Sequence, residues 1–271
     1  MLKRILMTTD SIGGVWTYTL ELVRALHRQG VEVAIATMGV PLTPAQWQEI
    51  RQVQPLAVFE SQFKLEWMQE PWFDVAQAGA WLLQLEQQLR PDVVHLNGYV
   101  HAALAWRSPV LVVAHSCVLS WWQAVKGAAA PAEWQEYRQR VAQGLRSADQ
   151  VIAPSQAMLD TLYQNYGSAF AGQVIPNGTD PAPFGGADSE AKSESDRGAD
   201  KLPMILSVGR FWDEAKNLQV LEQIAPDLEV PIFVAGAVQH PQGGRASPSQ
   251  VRSLGHLPPQ DLRSWFAKSA I

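Results

Sequence analysis

Arg4-Ile5-Leu6-Met7 is a short apolar run that turns polar at Thr8-Thr9-Asp10 and reaches a glycine pair at Gly13-Gly14. Behind the pair, Leu20, Val23, Ala25 and Leu26 recur at helical spacing, and Gly30 closes the pattern. Val31 to Thr37 is then a second apolar run, rich in β-branched residues. A buried strand, a tight turn, a helix and another buried strand make the unit from which parallel sheets are built. This opening segment therefore predicts an α/β fold.

The alternation continues along the chain. Leu82 to Leu89 reads as an amphipathic helix, and Pro91-Asp92 leads into a strand from Val93 to Leu96. Pro109 to Ala114 is a further apolar run ending in His115-Ser116. Glu133 to Gly144 is helical, and Gln150 to Ala153 is a strand. Ser155 can cap a helix from Gln156 to Tyr163, and Gln173 to Ile175 is a last short strand. These elements define a first domain over residues 1–179. From 180 to 201 the apolar periodicity disappears in a run of Pro, Gly, Ala, Asp, Ser, Glu and Lys, which reads as a linker. The α/β pattern restarts over 202–271, with strands at Met204–Val208, Ile232–Ala235 and Val251–Gly255 and helices at Asn217–Ala225 and Leu262–Lys268. Ala270-Ile271 reads as the start of another strand, so the second domain is expected to be incomplete within these 271 residues.

Composition narrows the function classes. Hydrophobic residues make up 47% of the chain and charged residues 17%, as in ordinary globular proteins. A net charge of -5 supplies no field that attracts nucleic acid. Cys117 is the single cysteine, which excludes an intrachain disulfide and a cysteine-rich metal site and fits a reducing, cytoplasmic setting. No apolar run approaches the roughly 20 residues that span a bilayer, and the N-terminus lacks the apolar stretch of a signal peptide. A peripheral membrane contact stays open.

Two loops attract attention as chemistry. Gly13 and Gly14 follow the first strand and precede a helix whose first amides favour anions, although glycine also serves plain packing at such turns and the spacing is not that of the dinucleotide fingerprint. Ser207-Val208-Gly209-Arg210-Phe211-Trp212-Asp213-Glu214-Ala215-Lys216-Asn217 sets Arg210 and Lys216 around a loop at the carboxyl end of a strand, where open α/β sheets bind ligands. Together they could neutralise a diphosphate; equally, they could be a solvated surface pair with Asp213 and Glu214. Trp67, Trp72 and Trp121-Trp122 suit a sugar-stacking platform, a membrane-facing patch or, favoured for each taken singly, core packing or an ordered loop.

The order of the pieces adds information. Gly13-Gly14, Ala114-His115-Ser116, Val151-Ile152-Ala153-Pro154-Ser155, Pro176-Asn177-Gly178 and Gly209-Arg210 through Lys216-Asn217 together resemble the family-4 glycosyltransferases. The resemblance implies a GT-B architecture of two Rossmann-like domains with parallel sheets, the first facing the acceptor and the second the nucleotide sugar. It implies that Gly13 and Gly14 line the cleft, that Arg210 and Lys216 bind the donor diphosphate, and that His115, the catalytic candidate, sits near the transferred sugar. His115 could also be a hydrogen-bonded structural residue, and His95 the same. The implied reaction transfers a sugar from a nucleoside diphosphate to the hydroxyl of a sugar, lipid-linked or small-molecule acceptor with retention, without metal or other cofactor. The family also carries two glutamates in a segment that would follow Ile271. Their absence keeps two alternatives in view, an inactive binding module and a nucleotide-sugar epimerase of the same fold.

Overall fold

The computed structural model describes residues 2–179, 201–238 and 248–271. The chain forms two compact units, Met1–Thr179 and Asp180–Ile271. The linker expected at 180–201 falls, apart from Lys201, outside the described residues.

The first unit is built on seven parallel strands: β1 (Arg4–Asp10), β2 (Glu32–Met38), β3 (Ala57–Glu60), β4 (Val93–Leu96), β5 (Val110–Val113), β6 (Gln150–Ala153) and β7 (Gly172–Val174). Their order across the sheet is β3-β2-β1-β4-β5-β6-β7. Helices α1 (Gly14–Arg28), α2 (Pro44–Val53) and α3 (Trp72–Leu89) serve the first half of the sheet. Helices α4 (Val118–Trp121), α5 (Gln135–Ser147) and α6 (Gln156–Tyr166) serve the second.

The two-residue period of a strand explains the layering. In β1, Ile5 and Met7 join Val33 and Ile35 of β2 in a cluster with Trp16, Leu20 and Val23 of α1 and Ile50 and Val53 of α2. Leu6, Ala34, Ala36 and Met38 project to the other face and meet Ala78, Leu82 and Leu85 of α3. A third cluster joins β4, β5 and β6 to Tyr137, Val141 and Leu145 of α5 and Leu162 of α6. Each fully buried aliphatic side chain stabilises the unit by roughly 1.5–3 kcal/mol.

Several elements differ from the sequence expectations. β1 runs three residues further than the apolar run, because Thr8 and Thr9 are buried as strand residues. The α2–β3 pair was not anticipated; Thr43 caps α2 reciprocally with Gln46, and Pro44 occupies the first turn. α3 starts at Trp72 rather than Leu82, since Val75, Ala78 and Gly79 continue its buried stripe. Ser155 does cap α6, accepting from the Met158 amide at 3.2 Å.

Carboxylates tie the amino ends of the strands. Asp92 accepts from the Lys3 and Arg4 amides at 2.7 and 2.9 Å, Asp149 from Val110 at 2.7 Å, and buried Glu86 from Arg107 and Ser108. The carboxyl ends are left for a site.

In the second unit, β8 (Ile205–Val208), β9 (Ile232–Ala235) and β10 (Arg252–Gly255) form a parallel sheet in the order β10-β9-β8. Helix α7 (Leu218–Ile224) contributes Leu218 and Leu221 to a cluster with Ile232, Val234 and Val251, and α8 (Pro259–Lys268) follows β10. Residues 269–271 lie along the outer side of β8: Leu202 bridges Ser269, and the Leu206 amide donates to the Ile271 carbonyl at 2.8 Å. The expectation that Ala270-Ile271 begins a strand agrees with this pairing.

One contact fixes α5. A Cβ on Gly144 would lie 2.0 Å from the Tyr99 carbonyl oxygen, so helix and turn meet backbone to backbone. Replacing glycine by alanine inside a helix ordinarily gains up to about 1 kcal/mol. Here the overlap forces a backbone shift, and overpacking of this kind costs roughly 1–3 kcal/mol. Gly144→Ala is expected to lower the thermal unfolding midpoint; an unchanged or raised midpoint would mean that α5 can move off the turn freely.

Candidate functional site

The sheet order reverses between β1 and β4. Crossovers leave the two strands on opposite sides, and a crevice opens outside their carboxyl ends, the usual ligand position in such folds. In the first unit a cavity of about 470 Å³ lies there, lined by Thr8, Thr9 and Asp10 after β1, by Leu96 to Tyr99 after β4, and by His115 to Val118 after β5.

Asn97 organises its floor. Its amide nitrogen Nδ2 donates to the Thr8 carbonyl at 2.8 Å, and its backbone N–H donates to Thr8 Oγ1 at 3.0 Å. A carbonyl can only accept, so Oδ1 must face the other way. There it lies 2.9 Å from His115 Nε2 and 3.2 Å from His95 Nε2. An amide oxygen can only accept as well, which requires both rings to carry a proton on Nε2. In the neutral state each ring then keeps Nδ1 as an acceptor. Burial lowers His115 to about 4. Burial, opposed by the Asn97 hydrogen bond and aided by His115, lowers His95 to about 4. Tyr18 of α1 stands edge-on to His115, with ring centroids 4.6 Å apart, and burial raises its hydroxyl to about 12.

The catalytic candidate His115 thus lies on the cavity wall, and His95 joins the same network. Gly13 and Gly14 occupy the exposed β1–α1 turn; their neighbours Asp10 and Val15, rather than the glycines, line the cavity. Gly13 is the N-cap of α1 at φ 84°, a conformation that disfavours any side chain.

Glu66 was not anticipated. It is 7% exposed and lies on the cavity wall, accepting from the Tyr99 amide at 3.1 Å and the Val100 amide at 3.0 Å. Burial pushes its carboxyl up to about 7, against the pull of those two amides. The bonds anchor the segment before α3 to the turn at Val100–Ala103. That segment carries Trp67, which is 43% exposed and faces the cavity with Trp121, Trp122 and Trp134. Of the favoured readings, the ordered loop fits Trp67, while Trp121 and Trp122 are half-buried and face the cavity rather than the core. Core packing holds for Trp72, which packs on the core with the Arg140 guanidinium 4.5 Å from its ring centroid.

The second unit carries its basic loop at the carboxyl end of β8. Residues 269–271 lie on one side of that strand and β9 on the other, so the loop also stands where neighbouring strands diverge. Arg210 donates to Asp213 at 2.5 Å, and its guanidinium lies 4.8 Å from the Trp212 ring centroid. The pairing with Asp213 is the one that the surface reading named. It also orients the fork, since Asp213 is itself fixed by accepting from the Ala215 amide at 3.1 Å. Lys216 ends the short turn Glu214–Lys216 and is exposed. Among the described residues, no cluster of His, Cys, Asp and Glu could hold a metal ion, and no helix is long and apolar enough to cross a membrane.

Solved structures with a similar fold include three with sugar chemistry in their descriptions. A glycosyltransferase from Rickettsia africae ESF-5 matches at 15% identity and a TM-score of 0.63, over 99% of this chain and 71% of that one. Anabaena Alr3699/HepE, in complex with UDP-glucose, matches at 18% and 0.64, over 96% and 71%. UDP-GlcNAc 2-epimerase from Neisseria meningitidis, bound to UDP-GlcNAc, matches at 11% and 0.55, over 98% and 75%. These likenesses establish a GT-B type of fold with two Rossmann-like parallel sheets. No curated protein matches the sequence significantly. The model of Glycosyltransferase Family 4 matches residues 12–183, more than half of the chain, covering most of the seven-stranded unit after β1. The chain belongs to glycosyltransferase family 4.

Proposed function

We propose that the protein transfers a sugar from a nucleoside diphosphate sugar to an acceptor hydroxyl bound in the cavity of the first unit, with retention of anomeric configuration. The observation that carries this reading is the cavity itself at the strand-order reversal, where Asn97 fixes the tautomer of His115 on the wall and of buried His95 behind it. Family membership supports sugar transfer as the reaction class. HepE with UDP-glucose and the epimerase with UDP-GlcNAc support a nucleotide sugar as the donor.

In this reading, the bond between the anomeric carbon and the departing phosphate oxygen breaks as the acceptor oxygen adds to the same face. The acceptor proton passes to that phosphate oxygen. Arg210 and Lys216 bind the diphosphate and stabilise the charge that develops on it, the electrostatic role that a metal ion fills in other enzymes. Arg210 is already oriented by Asp213 and keeps further donors for phosphate. His115, neutral and with Nδ1 as acceptor, takes a hydrogen bond from a hydroxyl of the transferred sugar and positions it.

Two experiments test the reading. Calorimetric titration with UDP, GDP and ADP is expected to give saturable binding to one of them. Arg210→Ala should weaken it by roughly 10- to 100-fold, as for loss of a charge-assisted hydrogen bond of about 1.5–3 kcal/mol. Binding that ignores the substitution would remove Arg210 from the donor site. A product assay by NMR should then find the glycosidic bond in the donor's anomeric configuration. Free or epimerised sugar would mark an epimerase instead.

The pH profile tests His115. A histidine held near 4 stays neutral as the pH falls past the ordinary value of 6.5, so activity should persist to about pH 5 and drop only towards 4. An acid limb near 6.5 would mean that the group that matters is an ordinary, solvated histidine.

A further inference from the structure

Many of the cavity's hydrogen-bonding groups are engaged within the protein, Asp10 accepting from the Ile12 amide at 3.0 Å among them, while His115 keeps Nδ1 as an acceptor at the strand ends and the Trp134 Nε1–H has no partner. The Asn97 amide is spent on Thr8 and the two histidines. Thr9 Oγ1 donates to the Asp10 carbonyl and accepts from Thr19. Glu66 takes the Tyr99 and Val100 amides, Tyr99 donates to the Ser116 carbonyl at 2.8 Å, and His101 pairs with the Val75 carbonyl at 3.0 Å. The Tyr137 hydroxyl accepts from the Val118 amide. Away from the strand ends, the wall is made of Trp67, Trp121, Trp122 and Trp134 with Leu65 and Met38. Trp121 and Trp122 hold each other edge to face, with centroids 5.9 Å apart, and Trp134 does the same with Tyr137 at 5.7 Å. The aromatic surface is therefore set before any ligand arrives.

This distribution discriminates between acceptors. A sugar could stack one face on an indole, but most of its rim of hydroxyls would then lose water with too few partners to replace it, and each unpaired group costs about 1–3 kcal/mol. A molecule with an apolar ring body and one hydroxyl matches both ends. Its body covers indole, and its hydroxyl reaches the polar residues at the strand ends. A volume of about 470 Å³ lies in the range of sites for such compact ligands.

We propose that the first-unit cavity selects an acceptor with an apolar ring body, an aromatic or terpenoid alcohol, over a carbohydrate. The inference rests on the cavity being the acceptor site, and its test does not depend on transfer. The purified 271-residue chain, without donor, is titrated with 2-naphthol and with methyl β-glucopyranoside, reading indole fluorescence and heat. 2-Naphthol should bind saturably and roughly tenfold or more tightly than the glucoside, a difference of about 1.4 kcal/mol. Trp121→Ala should weaken it by a similar factor. So should Trp67→Ala, which alters a half-open loop position and spares the core. Phe73→Ala, at a side chain 76% exposed and away from the cavity wall, should leave binding unchanged. Tighter or equal binding of the glucoside, or naphthol binding indifferent to both tryptophan variants, overturns the proposal. The two readings fail separately. Naphthol binding without any transfer contradicts the proposed reaction alone, whereas transfer to a carbohydrate with naphthol ignored contradicts the acceptor class alone.

Discussion

Two hydrogen bonds from Asn97 to Thr8 set the geometry on which the site depends. β1 and β4 pair only from Ile5 to Met7 against Val93 to His95, and beyond that register the strands are free to part. Asn97 closes the gap with its backbone and its amide, both directed at Thr8. Because one end of the amide is committed to a carbonyl, the other end must be an oxygen. One oxygen then dictates the proton position on two histidines from different strands. Fold and tautomer are linked through one side chain, while burial sets the charge state. The linkage is physical, since an amide turned the other way would set oxygen against oxygen at Thr8 and leave the rings without an acceptor.

The wall above that floor follows a similar economy. Polar side chains satisfy backbone groups that the crevice would otherwise leave bare, and their own capacity is consumed in doing so. Glu66 is the clearest case, a carboxyl at the edge of charge neutrality that holds a loop, a turn and, through Gly144, the approach of α5 in register. Away from the strand ends, what remains to face a ligand is mostly indole. A protein that handles sugars would then recognise its sugar through the donor site and its acceptor through apolar shape.

Much of this was legible in the residues. Apolar runs bounded by Gly, Pro and polar turns located most strands, and the repeated strand-helix alternation led to the parallel α/β class. The helix α2 and strand β3 were missed although Thr43-Pro44 and Gln46 mark a helix start, because the weak apolar stripe of α2 buries only Ile50 and Val53. The ordered motifs pointed to His115 and to the basic loop, where the structure adds Asp213 as the partner of Arg210. Asn97 and Glu66 carried no signal of their own. Asn in Leu-Asn-Gly reads as an ordinary strand exit, and Glu in Leu-Glu-Trp as an exposed loop residue. Their roles arise from backbone groups about 30 to 90 residues away, which no local pattern reports. The tryptophans stayed ambiguous for a related reason: a large aromatic is usually buried, and only the crevice between two strands makes four of them a lining.

The claim at the centre of the account is that burial keeps His95 and His115 neutral while Asn97 holds the proton of each ring on Nε2. Long-range nitrogen-proton NMR on protein labelled with ¹⁵N at histidine reads tautomer and charge directly. The account predicts that both rings give the Nε2–H pattern and stay neutral on titration from neutral pH down to about 5. An Nδ1–H pattern at either ring, or protonation of both near 6.5, would contradict it.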